Sequence, residues 1–140
     1  MIVLDTNVVS ELMRATPAES VIDWVDRQSA TDVHLTAITV AELLYGVARL
    51  PDGSRKTNLA ERIGAMLSED FDHRVLPLDE TSAAHYADIV VRRERAGRPI
   101  STADAQIAAT CRSHGAILAT RNVDDFVDTG ITIDNPWTHH

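Results

Sequence analysis

Two runs of the chain, Met1 to Leu4 and Ala116 to Ala119, are apolar at every position. A strand with one wet face alternates apolar and polar residues, whereas a strand that is apolar throughout is covered on both faces. Val33-His34-Leu35, Val75-Leu76 and Ile131 to Ile133 read as further short strands. The segments between them have helical spacing. Val8, Val9, Leu12 and Met13 mark a first helix that breaks at Ala15-Thr16-Pro17, and Val21, Ile22, Trp24 and Val25 a second. Thr39 opens a third, with Val40, Leu43, Leu44, Val47 and Leu50 on one face and a stop at Pro51-Asp52-Gly53. Leu59, Ile63, Met66 and Leu67 mark a fourth. Residues 80 to 96 form a long helix with Ala84, Ala87, Val90 and Val91 inward, ended by Gly97-Arg98-Pro99. Ser101 starts the last, with Ala105, Ile107, Ala108 and Cys111 inward, closed by His114-Gly115. Strands alternating with helices predict an α/β fold of three layers, α/β/α, around a central, mostly parallel sheet. At 140 residues this is a single domain, 1–140.

In an open parallel sheet the strand C-termini share one edge, and ligands bind there. Asp5 ends the first strand. Glu42 follows the strand at 33 to 36, in the first turn of the helix opened by Thr39. Asp104 sits in the first turn of the helix opened by Ser101. Taken singly, each acid is a plausible cap: Thr39-x-x-Glu42 and Ser101-x-x-Asp104 have the capping-box spacing. Taken together, three carboxylates in one crevice repel unless a proton or cation intervenes. Hard oxygen ligands with open positions suit Mg2+ or Mn2+. After the strand at 116 to 119, Thr120 and Asn122 fall at the same edge, Asn122 offers a carbonyl oxygen, and Asp125 would reach in from the next turn.

Acids outnumber bases 21 to 13, a formal net charge of −8. That excludes a simple basic nucleic-acid surface and a polybasic membrane anchor. No run of 18 apolar residues predicts a membrane span, the N-terminus does not read as a signal peptide, and the glycines are too scattered for GxGxxG or a P-loop. A single cysteine, Cys111, excludes an internal disulfide and a Cys-rich zinc site and fits a reduced, cytoplasmic setting. Arg92, Arg93, Arg95 and Arg98 place four positive charges within seven residues, either as a solvated helix end or as a phosphate-contacting patch for RNA. Arg55, Lys56 and Arg62 are a weaker candidate patch. Trp24, Tyr45, Tyr86 and Trp137 read as packing residues, and none of the scattered histidines as a ligand. His139-His140, native or the start of a tag, stay outside the chemistry.

Leu4-Asp5-Thr6-Asn7, Ala41-Glu42-Leu43, Ala103-Asp104-Ala105-Gln106-Ile107-Ala108 and Thr120-Arg121-Asn122-Val123-Asp124-Asp125-Phe126, with a closing Asn135-Pro136-Trp137, occur in that order. Together they resemble a PIN domain, and within that family the VapC-type toxins of toxin–antitoxin pairs, especially the FitB-like group. The resemblance covers essentially the whole chain. It implies a metal-dependent endoribonuclease whose acids carry over onto Asp5, Glu42 and Asp104, with Thr6 at a hydroxyl position that orients the site. The family's fourth acid falls on Asn122, a departure that leaves the fourth polar group to Asn122 or Asp125. The resemblance also implies an RNA substrate, a homodimer and a small antitoxin whose basic tail inhibits the site.

The expected mechanism has Asp5 and Asp104 holding one cation, with Glu42 completing that site or sharing a second ion. Glu42 or Asp125 is then the base for the attacking water. Two other readings remain at this stage. One is an aspartyl-phosphate protein of the phosphatase or receiver kind, disfavoured because Asn7 stands where such phosphatases carry an acid and the only lysine is Lys56. The other is a catalytically weak acidic module that binds a basic partner.

Overall fold

The computed structural model describes residues 1–138; His139 and His140 lie outside the described residues. The elements are β1 (Ile2–Leu4), α1 (Thr6–Leu12), α2 (Glu19–Asp26), β2 (Val33–Thr36), α3 (Ala37–Ala48), α4 (Ser54–Ala65), β3 (Val75–Leu76), α5 (Glu80–Arg95), α6 (Thr102–His114), β4 (Ile117–Ala119) and β5 (Ile133–Asp134). The five strands form one sheet in the order β3-β2-β1-β4-β5. Every pairing is parallel, with Ile2 beside Val33 and Ile117, and Leu118 beside Ile133.

Both faces of the sheet are covered, as strands apolar throughout require. Ile2, Leu4, Val33 and Leu35 pack with Val8, Val9, Val21, Trp24, Leu43, Val47 and Ile63 from α1 to α4. Val3 and Leu118, which point the other way, pack with Ile89 of α5 and Ile107, Ala108 and Cys111 of α6. Each fully buried Leu or Ile in these layers contributes about 1.5–3 kcal/mol. The break after α1 is held by Glu11, a buried acid whose carboxylate takes Arg14 Nη1 at 2.9 Å and the Ala18 amide at 2.9 Å. Trp24 packs as expected, and its Nε1 donates to Asp134 Oδ2 at 3.1 Å, tying α2 to β5. Gly115, at φ 62°, closes α6 in the left-handed conformation that glycine adopts without a Cβ penalty.

Three details differ from the sequence expectation. Thr36, not Thr39, caps α3: its Oγ1 accepts from the Thr39 amide at 3.1 Å, so the helix starts earlier and Glu42 lies in its second turn. Leu44 and Tyr45 are 51% and 66% exposed, so Leu44 is not on the inner face and Tyr45 is not a packing residue. On α5 the buried residues are Ser82, Ile89 and Arg93, while Ala84, Ala87 and Val91 face out. Small apolar side chains give a weak face signal, and the polar residues turned inward find partners on other segments.

Candidate active site

The strand order reverses between β1 and β4, with β2 and β3 on one side and β5 on the other. Such a switch point opens a crevice at the strand C-termini. Asp5 follows β1 and Thr120 follows β4 at that place, with the Asp5 amide donating to Ala119 O at 2.9 Å.

Asp5 is 5% exposed and held from three sides. Its Oδ1 accepts from the Thr6 amide at 2.8 Å, which makes it the N-cap of α1. Its Oδ2 accepts from Thr120 Oγ1 at 2.8 Å and from Asn7 Nδ2 at 3.2 Å. Asn7 also donates to Thr120 Oγ1 at 3.2 Å, and its Oδ1 accepts from the Arg121 amide at 3.2 Å. One side chain thus laces α1 to the segment after β4. The sequence pattern assigns Asn7 no role; its spacing two residues past a strand-ending Asp is the only signal it carries.

Burial pushes the Asp5 carboxyl up to about 6, and the charges of Asp104 and Glu42 push in the same direction against the hydrogen bonds from Thr120 and Thr6. Asp104, half-buried at the start of α6, is raised as well: burial is the main cause, followed by the negative charges of Asp125 and Glu42. Ser101 caps α6 by accepting from the Asp104 amide at 3.2 Å. Glu42 is placed by Thr6, whose Oγ1 stands 2.7 Å from Glu42 Oε1 and 3.1 Å from Thr39 Oγ1. A hydroxyl has one proton, and the shorter contact to a charged oxygen takes it. The Thr6 hydroxyl therefore orients the Glu42 carboxylate.

The crevice thus gathers Asp5, Glu42 and Asp104, with Asp125 close enough to act on Asp104. Asn122 lies at the start of the turn Val123–Phe126, and its backbone amide donates to Thr120 Oγ1 at 3.0 Å. Among the described residues no three acidic, histidine or cysteine side chains form a ready-made metal cage. The donor set nevertheless fits a hard divalent cation: it is all carboxylate, Asp5 is fixed by neutral donors, and neighbouring carboxylates help to raise Asp5 and Asp104 in a way a cation would relieve. Cys111 lies under the same site, its thiol pushed up to about 12 by burial and by the Asp5 charge, which leaves it unreactive.

The four arginines near 95 do not form one patch. Arg93 is buried and cannot present itself to a substrate, while Arg92 pairs with Asp88 at 3.8 Å and Arg98 with Asp128 at 4.0 Å. Arg95 is exposed. Of the weaker candidates Arg55, Lys56 and Arg62, the two arginines line, together with Arg14, a groove of about 850 Å3 that runs from Thr6 and Glu42 between α1, α3 and α4, and Lys56 does not. Lys56 turns to Ala48 O at the end of α3, which leaves the aspartyl-phosphate reading without a lysine at Asp5.

Thr120→Val tests the clamp on Asp5. The buried carboxylate, the Asn7 amide and the Asn122 amide each lose a partner, so thermal unfolding is expected to show a loss of about 1–3 kcal/mol. The Asp5 pKa is expected to rise further, because the lost bond was one that held it down. Thr120→Ser keeps the hydroxyl and is expected to restore most of both.

Residues 2–131 match the PIN domain family. The chain is 43% identical over 137 residues to the VapC ribonuclease Y4jK of Sinorhizobium fredii, with 98% of each covered. It is 44% identical over 137 residues to toxin FitB of Neisseria gonorrhoeae, covering 98% of this chain and 99% of that one. Among solved structures, a FitAB complex bound to a DNA fragment contains a chain that superposes with a TM-score of 0.94 at 43% identity, covering 100% of this chain and 98% of that one.

Proposed function

The chain belongs to the PIN-domain family, in the group that holds the VapC ribonucleases and the FitB toxin, and from that premise we propose that it is a toxin-type endoribonuclease whose cleavage of RNA depends on Mg2+ or Mn2+. The observation that carries the proposal is Asp5: a buried carboxylate at the sheet's switch point, oriented by three donors and crowded by other acids.

In this reading Asp5, Glu42 and Asp104 would hold the ion. Bound there, it would polarise the scissile phosphate and acidify the attacking water. The protein's own groups do the rest. Thr120, Asn7 and the Thr6 amide fix Asp5, so its oxygens need no reorganisation. The Thr6 hydroxyl aims Glu42. Asp125 or Glu42 accepts the proton of the water, and Asp125 fills the fourth acidic position more readily than Asn122 because its charge already acts on Asp104. An RNA strand would enter along the groove lined by Arg14, Arg55 and Arg62. Arg14 pairs with Glu11 and Arg62 donates to Met13 O, and the remaining guanidinium donors would meet its phosphates.

The chain is like one chain of a FitAB complex on DNA, which supports action in complex with a partner. That the partner is a small antitoxin and that the chain pairs as a homodimer is what the family resemblance implies. A net charge of −8 would draw the antitoxin's basic tail towards the crevice. Among the described residues no helix is long and apolar enough to cross a membrane. An RNA substrate would place its action in the cytoplasm.

The test is end-mapping of RNA cut by the purified protein in Mn2+. Fragments bearing 5′-phosphate and 3′-hydroxyl ends are expected. Fragments ending in a 2′,3′-cyclic phosphate, or intact RNA after prolonged incubation, would overturn the proposal.

A further inference from the structure

Arg93 is the one arginine among the buried polar and charged residues, at 4% exposure on the inner face of α5. A buried guanidinium is costly unless its donors are met. Here they are met by backbone carbonyls: Nε donates to Arg98 O at 2.6 Å, and Nη1 donates to Asp125 O at 2.8 Å and Val127 O at 2.7 Å. The Arg98 amide returns a bond to Arg93 O at 2.8 Å.

The acceptors matter as much as the donor. After β4 the chain makes the short turn Val123–Phe126 and then turns again, with Asp128 at φ 63° and Gly130 at φ 79°, before it reaches β5, so no strand neighbour takes its carbonyls. Three consecutive carbonyls are instead taken by side chains: Phe126 O by Thr129 Oγ1 at 2.6 Å, and Asp125 O and Val127 O by Arg93. Arg98 O, the other acceptor, lies on the bend just before Ser101 caps α6. One planar side chain therefore joins the segment that leads into Asp104 to the turn that carries Asp125. α6 packs directly against that turn, and the Arg93 charge also acts on Asp104.

We propose that Arg93 is a positioning residue of the active site: its guanidinium locks the Val123–Phe126 turn to the start of α6 and so holds Asp125 beside Asp104. It touches neither substrate nor ion and acts through Asp125. The role requires a rigid fork that reaches several carbonyls, which a lysine cannot supply although it keeps the charge. The proposal rests on the reading of the crevice as a metal-dependent nuclease site.

The test compares wild type, Arg93→Lys, Asp125→Asn and the double variant, with three readouts. Amide hydrogen exchange is expected to quicken at residues 124–128 in Arg93→Lys, with the protection of β1 and β4 unchanged. Mn2+ affinity by calorimetry and kcat for RNA cleavage are each expected to fall about 10- to 100-fold, the usual cost of losing an outer-shell partner, with KM for RNA little changed. In the Asp125→Asn background, Arg93→Lys is expected to add less than about threefold, because both changes break one linkage.

Losses that multiply in the double variant, or wild-type Mn2+ affinity and kcat in Arg93→Lys, would overturn the proposal. An Arg93→Lys protein that does not fold would overturn it too, making Arg93 a folding residue only. A wild-type protein that neither binds Mn2+ nor cuts RNA would sink the reading of the crevice instead, and the exchange data would still decide whether the clamp exists.

Discussion

Asp5→Asn is expected to cut RNA at least roughly 1,000-fold more slowly than the wild type and yet to unfold at a higher temperature at pH 7. The two effects have one cause. The folded protein raises the Asp5 carboxyl from 3.8 to about 6. A carboxyl raised on folding binds its proton more tightly in the native state, so stability falls as pH climbs through the window from about 4 to about 6. Above that window the ionised side chain costs the fold up to about 3 kcal/mol, because each tenfold gain in proton affinity on folding corresponds to about 1.4 kcal/mol.

Asparagine removes the charge and keeps the cap to the Thr6 amide. It also sets one amide against another at Asn7 Nδ2, so the net gain is about 1–2 kcal/mol. Calorimetric unfolding in EDTA, from pH 4 to pH 7, checks this. The advantage of Asp5→Asn is expected to be present at pH 7 and to vanish near pH 4, where the wild-type carboxyl no longer carries its charge in the folded state. A variant less stable at pH 7, or one that still cuts RNA, would contradict the assignment. Stability gained as activity is lost is the mark of a residue kept for function at the expense of the fold.

Chelation is expected to abolish cleavage, and the Mn2+ that restores it is expected to bind more weakly as the solution becomes acidic. Carboxylates must shed their protons to coordinate a cation. Asp5 titrates at about 6 and Asp104 is raised in the same direction. Below about pH 6 the affinity for Mn2+ is therefore expected to fall by about tenfold per pH unit if one proton is displaced, and more steeply if both acids are protonated. Calorimetric titration at pH 5, 6 and 7 measures it, and the rate of cleavage is expected to rise with a midpoint near the same pH. RNA binding is expected to follow the metal, because the crevice alone repels phosphate. Equal RNA affinity with and without Mn2+, or a flat affinity for the ion from pH 5 to 7, would contradict this account.

Much of the site was legible because its three principal acids occupy places that local pattern marks. Asp5 ends an apolar run, Asp104 falls in the first turn of α6 at hydroxyl-x-x-acid spacing from Ser101, and Glu42 has the same spacing from Thr39 although it stands in the second turn of α3. Where that reading slipped, it slipped on equivalent local signals. Thr36 and Thr39 are both hydroxyls next to an apolar helix, and only the backbone shows that Thr36 accepts the amide bond. The outward face of α5 carries Ala84, Ala87 and Val91, while the inward face carries Ser82 and Arg93. A hydrophobic pattern ranks those faces in reverse, because the partners that make burial tolerable lie elsewhere: Ser113 Oγ, 3.0 Å from Ser82 Oγ, and the carbonyls of Asp125 and Val127.

The sequence by itself determined the layered parallel sheet and the edge on which the acids stand. Both follow from periodicity over a few neighbouring residues, since a strand covered on two faces must be apolar at every position. The tertiary structure alone decided how those acids behave. Burial and a hydrogen bond from Thr120, 115 positions away, set the charge on Asp5, and the Asp125 carbonyl takes its hydrogen bond from Arg93, 32 positions away. Burial, hydrogen-bond partners and the repulsion among carboxylates arise only when distant segments meet, and no local pattern records them.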